Sequence, residues 1–426
     1  VDVVAEAMRH DYGNPSSQHE KGREARRLLE QSRQTIADAL GADTSEICFT
    51  SGATESNNLA IQGVCLRTAR HARPGTIVTS SLEHASVTKP VRAMRRSGWR
   101  VEYIDAPHGD LDLVRLESTL ATCDDVGLVS IMMVQNELGY RFPMKDVAAL
   151  CRRYAPSAPL HRDAVQAFGR LDVDVADLDC DLLTCCSHKI GGPKGIGALY
   201  VRDGVELFST ALGGGQEGGL RSGTQSLPLA IGFAEAVRIT MAGRRAAYWR
   251  ACHLRDMLAT GLAQMLGAEL IINSRDDGSP FIFSFTARGT DNRRMLELLS
   301  AQGVYVSLAS ACESNHRSVP PGTWRKKHPL VLQLAGIPLA LTTSTYRLSF
   351  SPLTTEADIA RFLEAFRTSC ERLRSEAGDV KSLSGMAGDT ALLRDAAGDS
   401  GRDDDLGAAG AHDGENVALR ASRRHS

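Results

Sequence analysis

A chain of 426 residues can build one large domain and a smaller companion, and 42% hydrophobic with 23% charged residues is a globular balance, not a disordered or fibrous one. The formal net charge of −2 gives no global electrostatic case for binding nucleic acid or an anionic membrane, and no apolar stretch is long enough for a membrane-spanning helix. Ten cysteines are scattered without a CxxC pair, which argues against a structural zinc site and leaves reduced thiols in an intracellular compartment, cytoplasmic or mitochondrial, as the expectation.

The chain opens on Val1 inside a helix-like pattern, so a truncated N-terminus is expected. Glu20 to Leu40 carries Ala25, Leu28, Leu29, Ile36 and Leu40 near helical spacing, with Gly41 as a stop. Strand and helix patterns then alternate: strand Glu46–Thr50, helix Thr54–Gly63, strand Thr76–Ser80, helix Val87–Arg96, strand Arg100–Ile104, a long strand Val126–Val134 and helix Met144–Tyr154. Leu160–Asp163, Leu182–Cys186 and Ala198–Val201 are further strands. This alternation predicts an α/β fold with a mostly parallel sheet, in which ligands sit at the carboxyl ends of strands. Ala230–Leu266 reads as a long connecting helix. Strands at Phe281–Phe285, Val304–Ser307 and Tyr346–Phe350 suggest a smaller α+β domain. The expected division is residues 1–265, 266–381 and a disordered Gly/Ala/Asp/Ser/Arg-rich tail, 382–426.

Chemistry-bearing residues gather at the ends of these strands. Ser187-His188-Lys189 follows one of them and precedes Gly191-Gly192-Pro193-Lys194-Gly195; a lysine there is placed to form a Schiff base, though a solvated loop lysine reads the same in isolation. Asp163 ends another strand and is suited to a protonated pyridine nitrogen, or simply to capping a helix. Thr50-Ser51-Gly52-Ala53-Thr54-Glu55 joins a strand to a helix start, the form of a phosphate cradle or of an ordinary capped turn. Glu83-His84 offers a ring that stacks on a flat cofactor and moves protons, or a core histidine. Asn136 follows the long strand, and Gly213 to Thr224 forms a glycine-rich loop with a cation, Arg221. Cys312 lies in a small-residue loop that suits a thiolate nucleophile, and Arg347 offers a fork for a carboxylate. Gly192-Pro-Lys-Gly195-Ile-Gly197 is not GxGxxG and opens no helix, so no dinucleotide site is expected.

In this order the motifs resemble the cysteine desulfurases of the class V branch of fold-type I pyridoxal 5′-phosphate (PLP) enzymes. The matching stretches are Tyr12–His19, Phe49–Asn58, Glu83-His84, Asn136–Gly139, Asp163–Gln166, Ser187–Lys189 with Gly192–Gly195, Gly213–Glu217, Arg221–Thr224 and Ser310–Cys312. The resemblance implies a large domain with a mostly parallel seven-stranded sheet, lacking its family's first strand, plus a smaller α+β C-terminal domain. It implies that Lys189 holds PLP, His84 stacks on the ring, Asp163 pairs with the ring nitrogen, and Gln166 and Asn136 contact the ring hydroxyl side. Ala53, Thr54, Ser187 and His188 would bind phosphate, with Thr224 arriving from the partner of a homodimer. Arg347, with Asn136, would hold the substrate carboxylate, and Cys312 would take sulfur as a persulfide, releasing alanine, with transfer to an acceptor such as an iron–sulfur scaffold protein.

Two departures stand out: Gln135 where asparagine is usual and Arg162 where an apolar residue is usual. Cys312-Glu-Ser-Asn-His316 also resembles a run found in selenocysteine lyases, so L-selenocysteine is the alternative substrate. Another class V aminotransferase or lyase would not need Cys312.

Overall fold

The computed structural model describes residues 1–71, 73–308 and 330–391. In chain order the elements begin with α1 (Asp2–His10), α2 (Glu20–Leu40), β1 (Ile47–Thr50), α3 (Ala53–His71), β2 (Thr76–Ser80), α4 (Ala85–Arg96), β3 (Arg100–Ile104), α5 (Leu113–Thr122), β4 (Val126–Ser130) and α6 (Met144–Tyr154). They continue with β5 (Leu160–Asp163), β6 (Leu182–Cys186), β7 (Gly197–Val201), α7 (Leu227–Leu266), β8 (Leu270–Ile272), β9 (Ile282–Ala287), α8 (Asn292–Ala301), α9 (Leu330–Leu334), β10 (Thr345–Ser349) and α10 (Glu356–Ala391). The chain divides into a unit spanning Val1–Leu373 and a second spanning Arg374–Ser426, whose described part is the last stretch of α10.

Seven strands form one sheet in the order β1-β7-β6-β5-β4-β2-β3, with β7 antiparallel to both neighbours and the other pairs parallel. Side chains alternate across such strands, so each face has its own packing. Val78, Val129, Ile131, Leu160, Leu183 and Ala198 pack with residues of α2, α6 and the first half of α7. On the other face Ile77, Leu128, Leu182 and Leu199 pack with Leu59, Val87 and Val91 of α3 and α4. α2 buries Ala25, Leu29, Ile36 and Leu40 along one stripe and ends at Gly41, whose φ of 67° is the left-handed cap glycine tolerates.

A second sheet, β10-β9-β8, is antiparallel. Its core is aromatic: Phe285 stacks on Tyr346 with centroids 5.2 Å apart, and Phe366 meets Phe285 edge-on at 5.6 Å. α7 joins the two cores. Phe233 and Val237 in its first half pack with the large sheet, whereas Leu254, Leu258 and Leu262 pack with the small one.

Several boundaries differ from those expected. The strand expected to reach Val134 stops at Ser130, yet the line continues: the N–H groups of Ile131 and Met133 still donate to the carbonyls of His161 and Asp163. α3 runs on through Gly63 to His71; a Cβ at Gly63 would stand 3.1 Å from the Phe208 carbonyl oxygen and 3.2 Å from Leu207 Cβ, so the missing side chain makes room for the 207–208 segment against the helix. Val304–Ser307 is no strand; only Ser307 pairs with the sheet, exchanging hydrogen bonds with Arg347. α5, capped by Asp112, and β8 were not anticipated. α10 continues past Ser382 to Ala391, inside the stretch expected to be a disordered tail.

Candidate active site

Asp163 ends β5, and its register with Thr184 of β6 places it on the α3/α4 face. It is buried, and neutral donors hold both oxygens: Asn57 Nδ2 donates to Oδ2 at 2.8 Å and the Val165 N–H to Oδ1 at 3.0 Å. Burial pushes its pKa up; those two hydrogen bonds and the nearby positive charge of Lys189 oppose the rise. Lys189 itself lies one turn beyond the end of β6, in a short 3₁₀ segment Ser187–Ile190.

His84 caps the N-terminus of α4. The Ser86 N–H donates to its Nδ1 at 3.1 Å, and Ser86 Oγ lies 2.8 Å from the same nitrogen. A ring that accepts at Nδ1 keeps the proton of its neutral form on Nε2. Asn57 Nδ2 also donates to Ser86 Oγ at 2.8 Å. One fully buried amide on α3 therefore ties the carboxylate of β5 to the imidazole of α4. Beside it, Glu83 Oε1 accepts from Ser80 Oγ at 2.6 Å and from the Met132 N–H at 2.8 Å, joining the ends of β2 and β4. Burial raises the Glu83 pKa to about 8.

Gln166 and Lys189 are joined by a residue whose part the sequence did not suggest. Arg170 donates to Gln166 Oε1 at 2.7 Å and to the Lys189 carbonyl at 3.2 Å, while its guanidinium lies 5.5 Å from the Phe281 ring centroid. Burial lowers its pKa to about 10.

The cradle at the start of α3 is built by close backbone approach. A Cβ on Gly197 of β7 would stand 2.8 Å from the backbone of Gly52, so glycine is required where the turn meets the sheet. Ala53 and Thr54 open α3, Thr54 being exposed. Cys186, which ends β6 on this same face, lies where the N–H groups of Lys189 and Ala53 favour its thiolate, but burial dominates and pushes its pKa up to about 11. Ser187 Oγ is buried without a hydrogen-bond partner among the described residues, and a Cβ on Gly192 would come within 2.2 Å of it. His188 and Thr224 are exposed.

Arg347 of β10 donates through Nη1 to the Asn136 carbonyl at 3.0 Å, bringing the two residues expected at the substrate carboxylate together. Gln135 is buried and its Oε1 accepts the N–H groups of Glu137 and Leu138 at 2.6 and 2.7 Å, which shapes the turn that presents Asn136. Arg162 points to the other face of the sheet, fully buried, and donates to the Met144 carbonyl at 2.9 Å. Cys312 lies outside the described residues.

His84, Asp163, Lys189, Gln166 and the start of α3 thus converge on the carboxyl ends of parallel strands. The profile of the family described as aminotransferase class-V matches residues 1–362. The chain belongs to the class V aminotransferase family. Among its class V relatives, cysteine desulfurase IscS 1 of Archaeoglobus fulgidus is 34% identical over 377 residues, covering 88% of this chain and 94% of the relative. The IscS-like cysteine desulfurase of Mycobacterium tuberculosis is 35% identical, covering 87% and 93%. Among solved structures, a NifS-like protein superposes with a TM-score of 0.79 at 32% identity, covering 87% of this chain and 95% of that one. SspA in complex with cysteine gives 0.70 at 31%, covering 83% and 95%. These neighbours bear out the mostly parallel seven-stranded α/β fold expected for a fold-type I enzyme.

Proposed function

We propose that this class V protein is a PLP-dependent cysteine desulfurase, converting L-cysteine to L-alanine and passing the sulfur to Cys312. The observation that carries the proposal is the buried Asp163–Asn57–Ser86–His84 chain beside Lys189. The residues present fit PLP. Asp163 is a buried carboxylate whose hydrogen bonds come from neutral donors, which suits it to a cationic ring nitrogen. The backbone N–H groups that open α3 suit a phosphate.

When bound, PLP supplies an electron sink that labilises bonds at the substrate α- and β-carbons. Lys189 holds the cofactor aldehyde through its amine. Asp163, as the carboxylate, would accept the hydrogen bond of the protonated ring nitrogen. His84 presents a flat ring whose Nε2 carries the proton, since Nδ1 is committed to Ser86. Arg170 fixes Gln166 relative to Lys189. Arg347 orients the substrate carboxylate beside Asn136. The Cys312 sulfur bonds to the substrate sulfur as the substrate C–S bond breaks, so cysteine and thiol become alanine and a persulfide, with no external oxidant.

The function is a homodimer's, with Thr224 of one protomer serving the phosphate site of the other and a sulfur-accepting protein receiving the persulfide. Among the described residues no helix is long and apolar enough to cross a membrane. Incubation with PLP and L-cysteine should yield alanine and, with a reducing thiol, sulfide. Cys312→Ala should keep the bound-cofactor absorbance and lose both products; undiminished turnover in that variant would overturn the assignment. Faster turnover of L-selenocysteine that survives Cys312→Ala would favour a lyase instead.

A further inference from the structure

The loop between β7 and α7 holds five glycines between Gly213 and Gly219, and Gly215, Gly218 and Gly219 all have φ between 62° and 84°. Such a segment loses more backbone entropy on ordering than any other composition. One carboxylate gives it its most buried anchor. Glu217, a non-glycine residue at φ 52°, turns inward and is saturated by four N–H donors. Its Oε2 accepts from Arg33 Nη1 at 2.6 Å and from the Phe49 N–H at 2.7 Å. Its Oε1 accepts from Arg33 Nη2 at 2.9 Å and from Gln225 Nε2 at 3.1 Å.

Arg33 is as constrained as its partner. It is buried, its Nη1 also donates to the Ile47 carbonyl at 2.6 Å, and its guanidinium lies 4.7 Å from the Phe49 ring centroid. Ile47 and Phe49 belong to β1, which runs through Ser51 and Gly52 into α3. A second tie completes the attachment: Arg221 Nε donates to Glu55 Oε1 at 2.9 Å, and the other Glu55 oxygen accepts the Ser51 N–H at 2.6 Å. The loop is therefore fastened to the strand–turn–helix that forms the phosphate cradle. Buried ion pairs contribute little net stability, but removing one partner strands the other charge, so their value lies in fixing one arrangement.

We propose that Arg33 and Glu217 are positioning residues for phosphate capture: their clasp sets the loop that carries Arg221 and Thr224. The inference rests on the PLP reading. Its signature is selectivity for the phosphate, since a clasp acting through the loop has no contact with the cofactor ring. In equilibrium titrations of the full-length apoprotein, Arg33→Met and Glu217→Gln should each weaken PLP binding about tenfold or more, leave pyridoxal binding within about twofold, and act non-additively in the double variant. Arg33→Lys, which keeps the charge but loses the fork, covers the case in which Arg33→Met does not fold. Unchanged PLP affinity in folded variants, or equal weakening for PLP and pyridoxal, would overturn the clasp. A wild-type protein that binds no PLP would instead sink the underlying reading.

Discussion

Asn57→Ala removes the amide that joins Asp163 to His84. Asn57 is fully buried and its Nδ2 donates at 2.8 Å both to Asp163 Oδ2 and to Ser86 Oγ. A hydrogen bond to a charged group contributes about 1.5–3 kcal/mol. Asp163 already resists ionisation because of burial, and Asn57 is one of the two hydrogen-bond partners that oppose the rise. Losing it pushes the carboxyl further towards its neutral form, which cannot pair with a cationic ring nitrogen. At about 1.4 kcal/mol per factor of ten, the PLP dissociation constant should rise by about 10- to 150-fold. Absorbance and fluorescence titration of the apoprotein measures it, with circular dichroism confirming that the variant is folded. A folded Asn57→Ala protein with wild-type PLP affinity would refute the reasoning, because Asp163 would then need no help to stay ionised.

Glu83 gives a pH test. Burial raises its pKa from 4.5 to about 8, so the folded state binds the proton more tightly than the unfolded chain. Its contribution is fully present below about 4.5 and is lost as pH rises through about 8. The melting temperature of wild type relative to Glu83→Gln should therefore fall across that window, and a constant difference would contradict it. Arg347→Lys keeps a cation but loses the fork, and should raise KM for L-cysteine by about tenfold or more with a smaller change in kcat; an unchanged KM in steady-state assays removes Arg347 from the carboxylate site. Gly197→Ala places a methyl 2.8 Å from the Gly52 backbone. Overpacking of this kind costs about 1–3 kcal/mol, so both the melting temperature and PLP affinity should drop.

Much of this was legible from local pattern. The strands ending at Asp163 and Cys186 fell where expected because short apolar runs bounded by polar turns have few other readings. The pairing of Arg347 with Asn136 joins a strand of the small sheet to a turn beyond β4 of the large one, and only the ordered motifs hint at it. The contacts that local pattern does not reveal are relational. Asn57 stood inside a quoted motif, but its partners lie 29 and 106 residues away and depend on sheet register. Arg170 carries no motif of its own, and only the fold places it between Gln166 and the Lys189 carbonyl. Glu217 sits in the glycine-rich run Gly213–Thr224, and nothing local pairs it with Arg33, 184 residues away. Val304–Ser307 shows the converse error, since strand-like composition there earns one pairing and no ladder.

The proposed chemistry requires the side-chain amine of Lys189 to be the group that holds PLP. Borohydride reduction of the holoprotein followed by peptide mass spectrometry tests that directly. The prediction is a stable pyridoxyl-phosphate adduct on the peptide containing Ser187-His188-Lys189, absent in Lys189→Ala. An adduct on another lysine, or a reduced protein carrying no label, would contradict it.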